Sequence, residues 1–578
     1  MKKLNKFLVQ SSEFLVLVLL LFLLPTTNYQ LFAVQAITDP LEVPNNKFGI
    51  HIIQAMPDES YPAAQLVNSS GGDWGYVTLI IESKDRNEGK WKEFFNDLRR
   101  RHLIPIVRLA TKPVTDYWER PYEGEEQAWA DFLDKLNWPI KNRYVTIYNE
   151  PNHGKEWGGV VDPKNYAIAL DKTITALKNK NPDFFVLNGG LDASAPQKMP
   201  NYMDQVSFMQ QMEEAVPGIF ERLDGWTSHS YPNPEFIGFP NGVGRGTVRT
   251  YFWEAQVLRG LGVNKNLPIF ITETGWRHAE GIAYNPNYPS AEMVARNYKT
   301  AFETAWASDR IVAITPFLLT YQEAPFDHFS FKKINALDYY PQYQILMDMQ
   351  KIAGQPLQDR KAELTKGEVY KSIVSGQSYQ IALTFKNTGE SVWENGNAKL
   401  APLMGGKELG IEQVILPEGI KIEPGQEYTF NISLKAPESG TFKVMLNLFS
   451  ENGKVFDSPA LEFTTEVKSP VVLLIKSLLN WKNNPEGSYY LKVEGATGES
   501  IQQVSIDKTG SSSQIEAKYL LPEYDFNFTL EKPFYKPSKL QRKVLSGVNI
   551  LDFGSLQPDI FSALLNPKQL WLLLPFSN

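Results

Sequence analysis

The sequence predicts an α/β protein, a (β/α)8 TIM barrel followed by two all-β sandwich domains. Three observations predict it. From residue 40 to about residue 355, short apolar runs alternate with longer segments of helical spacing. Those runs number eight. From about residue 360 the period changes to two, between Gly, Pro and Asn turns. The length of 578 residues also exceeds what one hydrophobic core supports, so several domains are required.

The runs come in order as "KFGIHII" (47–53), "YVTLIIE" (76–82), "IPIVRLA" (104–110), "YVTIYNE" (144–150) and "FFVLNGG" (184–190). "LDGWTSHSY" (223–231), "PIFITETGW" (268–276) and "VAITPFLL" (312–319) complete the set. Between them, "WKEFFNDLRRR" (91–101), "KNYAIALDKTITALKN" (164–179) and "AEMVARNYKTAFETAWA" (291–307) repeat apolar residues at helical spacing. Near-continuous Val/Ile/Leu strands imply a parallel sheet buried under helices. Eight such units favour a closed barrel over residues 40–358 more than an open doubly wound sheet. No G-x-G-x-x-G or G-K-[ST] loop argues for the open form.

Beyond the barrel, "GQSYQIALTFKNTG", "GQEYTFNISLKAPESGTFKVMLNLF" and "ALEFTTEV" alternate in polarity, which predicts a β-sandwich over 362–468. Its "NTGESVW", "EPGQEYTF" and "APESGTF" resemble immunoglobulin-like modules of extracellular enzymes; Trp393 reads as core. "KSPVVLLIKSLLNW" leads to a second β-sandwich over 483–556, similar to small peptidase-regulatory-like sandwiches. An apolar tail, 557–578, closes the chain and is too short to span a bilayer as a helix.

The N-terminus reads as an export address. Lys2, Lys3 and Lys6 precede "FLVLVLLLFLLP", and "AVQA" ends at Ala36 as a cleavage site, so residues 1–36 are expected to be a signal peptide or signal anchor. A secreted or cell-surface protein of bacterial type follows, with membrane association through that segment if it stays uncleaved. The net charge of -7 offers no basic footprint for nucleic acid or another polyanion. The absence of cysteine excludes disulfides, thiolate metal sites, cysteine nucleophiles and a lipid-anchored N-terminal Cys. A monomer without cofactor is expected.

Barrel enzymes work at the C-terminal ends of their strands. Polar residues gather there: His51, Glu82, Arg108, Asn149 with Glu150, His229 with Tyr231, and Glu273 with Trp276. The six histidines are scattered and none forms an H-x-x-x-H pair, so no metal site is expected. Glu150 and Glu273 stand on the fourth and seventh runs, across the mouth from each other. Glycoside hydrolysis needs such a pair, one carboxyl donating a proton to the leaving oxygen and one ionised. Arg108 and the Tyr231 hydroxyl beside Glu273 would favour its charged form. A gap of about 5 Å between the carboxyls would mean retention of configuration, and a wider one inversion. Aromatic faces stack on sugar rings, so Trp276 and Trp157 are the expected platforms among the loop aromatics Trp118, Tyr122, Trp157, Trp276, Tyr284 and Tyr288. His51 is the expected further substrate contact.

"IYNEPN", "SHSY" and "ITETGW", in that order, resemble the clan A glycoside hydrolases, which include families 5 and 39. The resemblance covers roughly residues 40–355. It implies a retaining β-glycosidase with Glu150 as acid/base and Glu273 as nucleophile. It further implies that Asn149 bonds the sugar 2-hydroxyl, that His229 and Tyr231 support the site, and that Arg108 lies near the nucleophile. A poly- or oligosaccharide is the implied partner. One departure stands out: where many family 5 enzymes carry a Trp after strand eight, this chain has Tyr321, Phe326 and Phe329. The alternatives are a non-catalytic carbohydrate-binding or adhesive surface protein and a transglycosidase using the same intermediate.

Overall fold

The computed structural model describes residues 37–495 and 498–561. The expected export segment, 1–36, and the tail beyond residue 561 lie outside the described residues. The chain divides into two compact units, Met1–Leu357 and Gln358–Asn578.

Among the described residues of the first unit, eight strands alternate with eight helices. The strands are β1 (Gly49–His51), β2 (Gly75–Glu82), β3 (Leu103–Ala110), β4 (Arg143–Ile147), β5 (Phe184–Asn188), β6 (Trp226–His229), β7 (Ile269–Glu273) and β8 (Ile311–Ile314). The helices are α1 (Pro57–Val67), α2 (Glu88–Arg100), α3 (Glu125–Asp134), α4 (Pro163–Lys180), α5 (Gln205–Ala215), α6 (Thr250–Gly260), α7 (Ala291–Thr300) and α8 (Pro341–Asp348). Strands β1 to β5 pair in sequence, as do β6 to β8, all parallel. Parallel bridges from Leu187 to Gly225 and from Phe48 to Ile314 join the two sheets at both edges, so the strands form a closed (β/α)8 barrel.

The strand sequences are apolar on both faces because both faces are covered. Tyr76, Ile104, Ile106, Tyr144, Phe185, Phe270 and Val312 fill the barrel, whereas Val77, Val107, Val145, Val186, Ile269 and Ile271 pack outward against the helices. Polar caps start the helices. Asn87, Asp162, Asp204 and Ser290 each accept from the backbone N–H three residues on, opening α2, α4, α5 and α7. Helix α2 then buries Trp91, Phe94, Phe95 and Leu98, each worth about 1.5–3 kcal/mol. After α7 the chain continues through a π-helical turn, Ala301–Ala305.

The described strands of the second unit form two sandwiches. In the first, the sheet of β9 (Ala362–Gly367), β11 (Ser378–Asn387) and β14 (Glu427–Lys435) faces the sheet of β10 (Ser372–Val374), β12 (Lys399–Met404), β13 (Val414–Ile415), β15 (Gly440–Phe449) and β16 (Leu461–Lys468). Ile381, Leu383 and Phe430 from one sheet meet Leu400, Val444 and Leu446 from the other. Trp393 is fully enclosed in that core.

In the second sandwich, β17 (Val471–Leu479), β20 (Ile515–Ala517) and β23 (Gly547–Leu556) face β18 (Gly487–Gly495), β19 (Gly498–Ile506), β21 (Asp525–Glu531) and β22 (Ser538–Lys543). This corrects the boundary at 483. The stretch read as a connector is β17, whose Val471, Leu473 and Ile475 enter the core while the strand pairs in parallel with β23. An unbroken apolar run hides the alternation that would have shown it as a strand. The parallel pairs β10/β16 and β17/β23 depart from the antiparallel pattern of the remaining ladders. Among the described residues no helix is long and apolar enough to cross a membrane.

Candidate active site

The expected catalytic residues meet at the C-terminal end of the barrel. Strand β4 stops at Ile147, and the chain turns through two non-glycine residues in left-handed backbone, Tyr148 (φ 65°) and Glu150 (φ 31°). Such backbone is strained and persists only where its surroundings hold it. Here the Glu150 N–H donates to Gly190 O at 2.9 Å, and the buried Tyr148 ring packs on Trp157, 5.3 Å between centroids. The turn carries Asn149 and Glu150 over the barrel mouth.

Across the mouth, Glu273 ends β7 and is 8% exposed. Arg108 Nη1 donates to its Oε1 at 2.9 Å, and the Tyr231 hydroxyl donates to its Oε2 at 3.1 Å. The same Arg108 nitrogen donates to Asn149 Oδ1 at 2.9 Å. His229 Nδ1 lies 2.8 Å from Glu150 Oε1 and 3.8 Å from Glu273 Oε2, so one imidazole bridges the two carboxylates. Glu150, His229 and Glu273 bring one donor atom each within 4.8 Å of one another. A trio of that kind is able to hold a cation, and the scattered histidines of the sequence do not reveal it.

The neighbours of Glu273 set its charge. Burial alone would raise the Glu273 carboxyl, but the charge on His229, then that on Arg108, and the Tyr231 hydrogen bond outweigh it and hold Glu273 below the ordinary glutamate value. For His229, burial is outweighed by the charge of Glu273 and the bond to Glu150, and its basicity rises. Burial and the two carboxylates keep the Tyr231 phenol neutral, so it remains a donor.

His51 lies in this group, fully buried, with Phe317 edge-on at 5.3 Å. Neither ring nitrogen meets a partner of hydrogen-bond geometry among the described residues, and burial lowers its pKa to about 3. It is a neutral imidazole at the foot of the site.

Two expectations are corrected. Trp276 is 1% exposed and Trp157 is 0% exposed, so neither offers a face to a sugar. Trp276 is enclosed by Tyr298 and Trp306 and donates its indole N–H to Gly238 O at 2.7 Å. Trp157 sits between Tyr148 and Tyr166 and donates to Asn165 Oδ1. Large apolar rings beside a strand end lose more water contact by packing inward than by lining a cleft. Of the aromatics after β8, Phe329 is buried and Phe326 is 39% exposed.

Glu156 and His153 were not singled out in the sequence. Glu156 Oε2 accepts from Asn149 Nδ2 at 3.4 Å. Burial, with the Glu150 charge adding to it against the pull of Arg108, raises Glu156 to about 7. His153 Nε2 lies 2.8 Å from Asp192 Oδ2, and its Nδ1 lies 3.6 Å from Glu150 Oε2. Burial opposes its protonation, but Asp192 and Glu150 prevail and raise its pKa. Both residues fall in the stretch "NEPNHGKEW" (149–157), and no spacing rule distinguishes them there from loop residues.

No family model matches the chain, and no curated protein matches it. Among solved structures it is similar to a triple mutant of the endo-β-1,4-glucanase of Xanthomonas axonopodis pv. citri, with 15% identity, 52% of this chain and 98% of the other covered, and a TM-score of 0.34. It is also similar to a family 30 subfamily 8 xylanase of Clostridium acetobutylicum, with 12% identity, coverage of 68% and 97%, and a TM-score of 0.35. A fungal β-1,4-galactanase gives 13% identity, coverage of 53% and 100%, and a TM-score of 0.38. Identities this low do not carry an activity across.

Proposed function

We propose that the barrel is a retaining glycoside hydrolase that cleaves β-glycosidic bonds of a poly- or oligosaccharide. The observation that carries the reading is the Glu150–Glu273 pair, within 4.8 Å through their nearest donor atoms and placed in different environments. Glu273, held ionised by Arg108, Tyr231 and His229, attacks the anomeric carbon as Glu150 gives its proton to the departing oxygen. The resulting glycosyl ester on Glu273 is cleaved by water, from which Glu150 takes a proton, and the free carboxylate returns. Asn149, oriented by Arg108, faces the substrate beside Glu150. His229, hydrogen-bonded to Glu150 and 3.8 Å from Glu273, places its imidazole beside both carboxyl groups. Export through residues 1–36 would bring the enzyme to extracellular polysaccharide, with the sandwiches as accessory modules.

The test is hydrolysis of a panel of β-linked polysaccharides and aryl β-glycosides by residues 37–578, beside Glu150→Gln and Glu273→Gln. Sugar released by the wild type alone, with the anomeric configuration kept, is the expected result. Binding without release by all three proteins would replace the enzyme with a carbohydrate-binding module. Transfer to an added sugar in preference to water would make it a transglycosidase.

A further inference from the structure

We propose that Arg277 forms a binding site for one anionic substituent, a uronate carboxylate or a sulfate ester, on a sugar held beside the catalytic carboxylates. The inference rests on the glycosidase reading and adds the chemical class of the sugar.

Arg277 lies four residues beyond Glu273, in the loop that follows β7. Its guanidinium carbon is 4.9 Å from the Phe236 ring centroid, 5.5 Å from that of Phe329 and 5.6 Å from that of Tyr288. The Phe236 ring packs on the Tyr231 ring at 4.8 Å, and Tyr231 donates to Glu273. One aromatic layer therefore separates the cation from the hydrogen-bonding shell of the nucleophile.

Of the other arginines in loops of the barrel unit, Arg249 and Arg310 donate to backbone carbonyls, and three have carboxylate partners. Arg86 lies 4.0 Å from Glu125, Arg120 is 3.0 Å from Asp162, and Arg245 is 2.5 Å from Asp204. Among the described residues, no carboxylate lies within 4.0 Å of the Arg277 guanidinium. Its side-chain hydrogen bond runs from Nη1 to the Tyr288 hydroxyl, 3.1 Å, and the side chain is only partly buried. Aromatic faces orient a guanidinium without using up its N–H donors. A planar fork held in this way matches the paired oxygens of a carboxylate or sulfate, and less side-chain entropy is lost when they bind. The rings also exclude water, which strengthens the attraction.

The loop after β6 is held against the loop that carries Arg277. The Arg277 N–H donates to Phe236 O at 3.2 Å and the Trp276 indole to Gly238 O, so the loop after β6 is tied to the loop after β7 at two points. Phe239, the next residue, leaves its ring 82% exposed, a face on which a pyranose can stack. The net charge of -7 disfavours a dense polyanion, but a single guanidinium needs only an isolated anion on an otherwise neutral chain.

The test is calorimetric binding by the full chain in a Glu273→Gln background, where nothing is cleaved. The probes are neutral gluco-, xylo- and galacto-oligosaccharides and the same backbones bearing one glucuronate or one sulfate. At least one acidic member is expected to bind about tenfold or more tightly than its neutral parent. That advantage should vanish with Arg277→Gln and be reduced with Arg277→Lys, which keeps the charge but not the fork. Preference for glucuronate or for sulfate identifies the anion. Acidic and neutral members binding alike, no acidic member binding, or an advantage that survives Arg277→Gln would overturn the proposal. If Arg277→Gln fails to fold, the Lys variant decides, and full retention of the advantage counts against the fork. Because binding is read without turnover, absence of hydrolysis by the wild type would sink the glycosidase reading alone.

Discussion

Arg108 and Glu273 form an ion pair at 2.9 Å across the barrel mouth, with 13% and 10% of their side chains exposed. Strands β3 and β7 bring together residues 165 positions apart. A buried carboxylate stripped of its partner is costly, so Arg108→Leu is expected to lower stability by about 3–5 kcal/mol. Urea unfolding measures this, and a loss below about 1 kcal/mol would mean that Tyr231 and His229 suffice to hold the charge.

Glu273→Ala is expected to reduce turnover by a factor on the order of 10⁴ or more. Added azide should then restore part of the activity with the product configuration inverted, because it occupies the space of the lost carboxylate. Chromatographic analysis of the glycosyl azide decides; no rescue would argue against Glu273 as nucleophile.

Glu273 and Glu156 act on stability in opposite senses as pH changes. Glu273 is held below its unfolded value, so its stabilising contribution is complete above about 4.3 and is lost as pH falls through the folded value. Glu156, raised to about 7, keeps a proton that the unfolded chain has already released. Its contribution is complete below about 4.3 and is lost as pH rises through about 7. Replacing it with Gln should therefore raise the melting temperature, relative to the wild type, by a few degrees more at pH 8 than at pH 5. An equal difference at the two values would place Glu156 in an ordinary, solvated setting.

Gly190 leaves room for the site imidazole. A Cβ there would lie 2.2 Å from the His229 ring, which is buried and cannot withdraw. Gly190→Ala is expected to displace His229 from Glu150 and reduce turnover at least tenfold, with folding retained at lower stability. Normal activity in this variant, measured beside its circular dichroism, would show that His229 has another resting place.

Trp276→Ala and Trp157→Ala are expected to cost about 3–5 kcal/mol each in unfolding free energy, as large-to-small changes in a packed core do. A platform residue would instead raise KM and leave stability nearly unchanged. Thermal denaturation beside saturation kinetics separates the two.

Much of this was legible in the chain. Eight apolar runs became eight parallel strands because strands covered on both faces must be apolar throughout, and period-two segments became sandwich strands because one face meets a core. Asn149–Glu150 and Glu273 could be located because a polar residue closing an apolar run has few places to go except the barrel mouth. β17 was missed where an apolar run concealed its alternation. Trp157 and Trp276 were misread because a loop position in sequence does not say which way a ring turns.

The sequence by itself determined the order of the elements, the (β/α)8 and sandwich architectures and the strand ends from which Glu150 and Glu273 project, since periodicity and turn residues are local properties. Only the tertiary structure decided that one His229 nitrogen lies beside both carboxylates, that burial and the charge of Glu150 keep Glu156 a protonated carboxyl near neutrality against the pull of Arg108, and that Arg277 stands among three rings with no carboxylate beside it among the described residues. Each depends on distances between residues far apart in the chain and on exclusion of water, which arise only when the barrel closes.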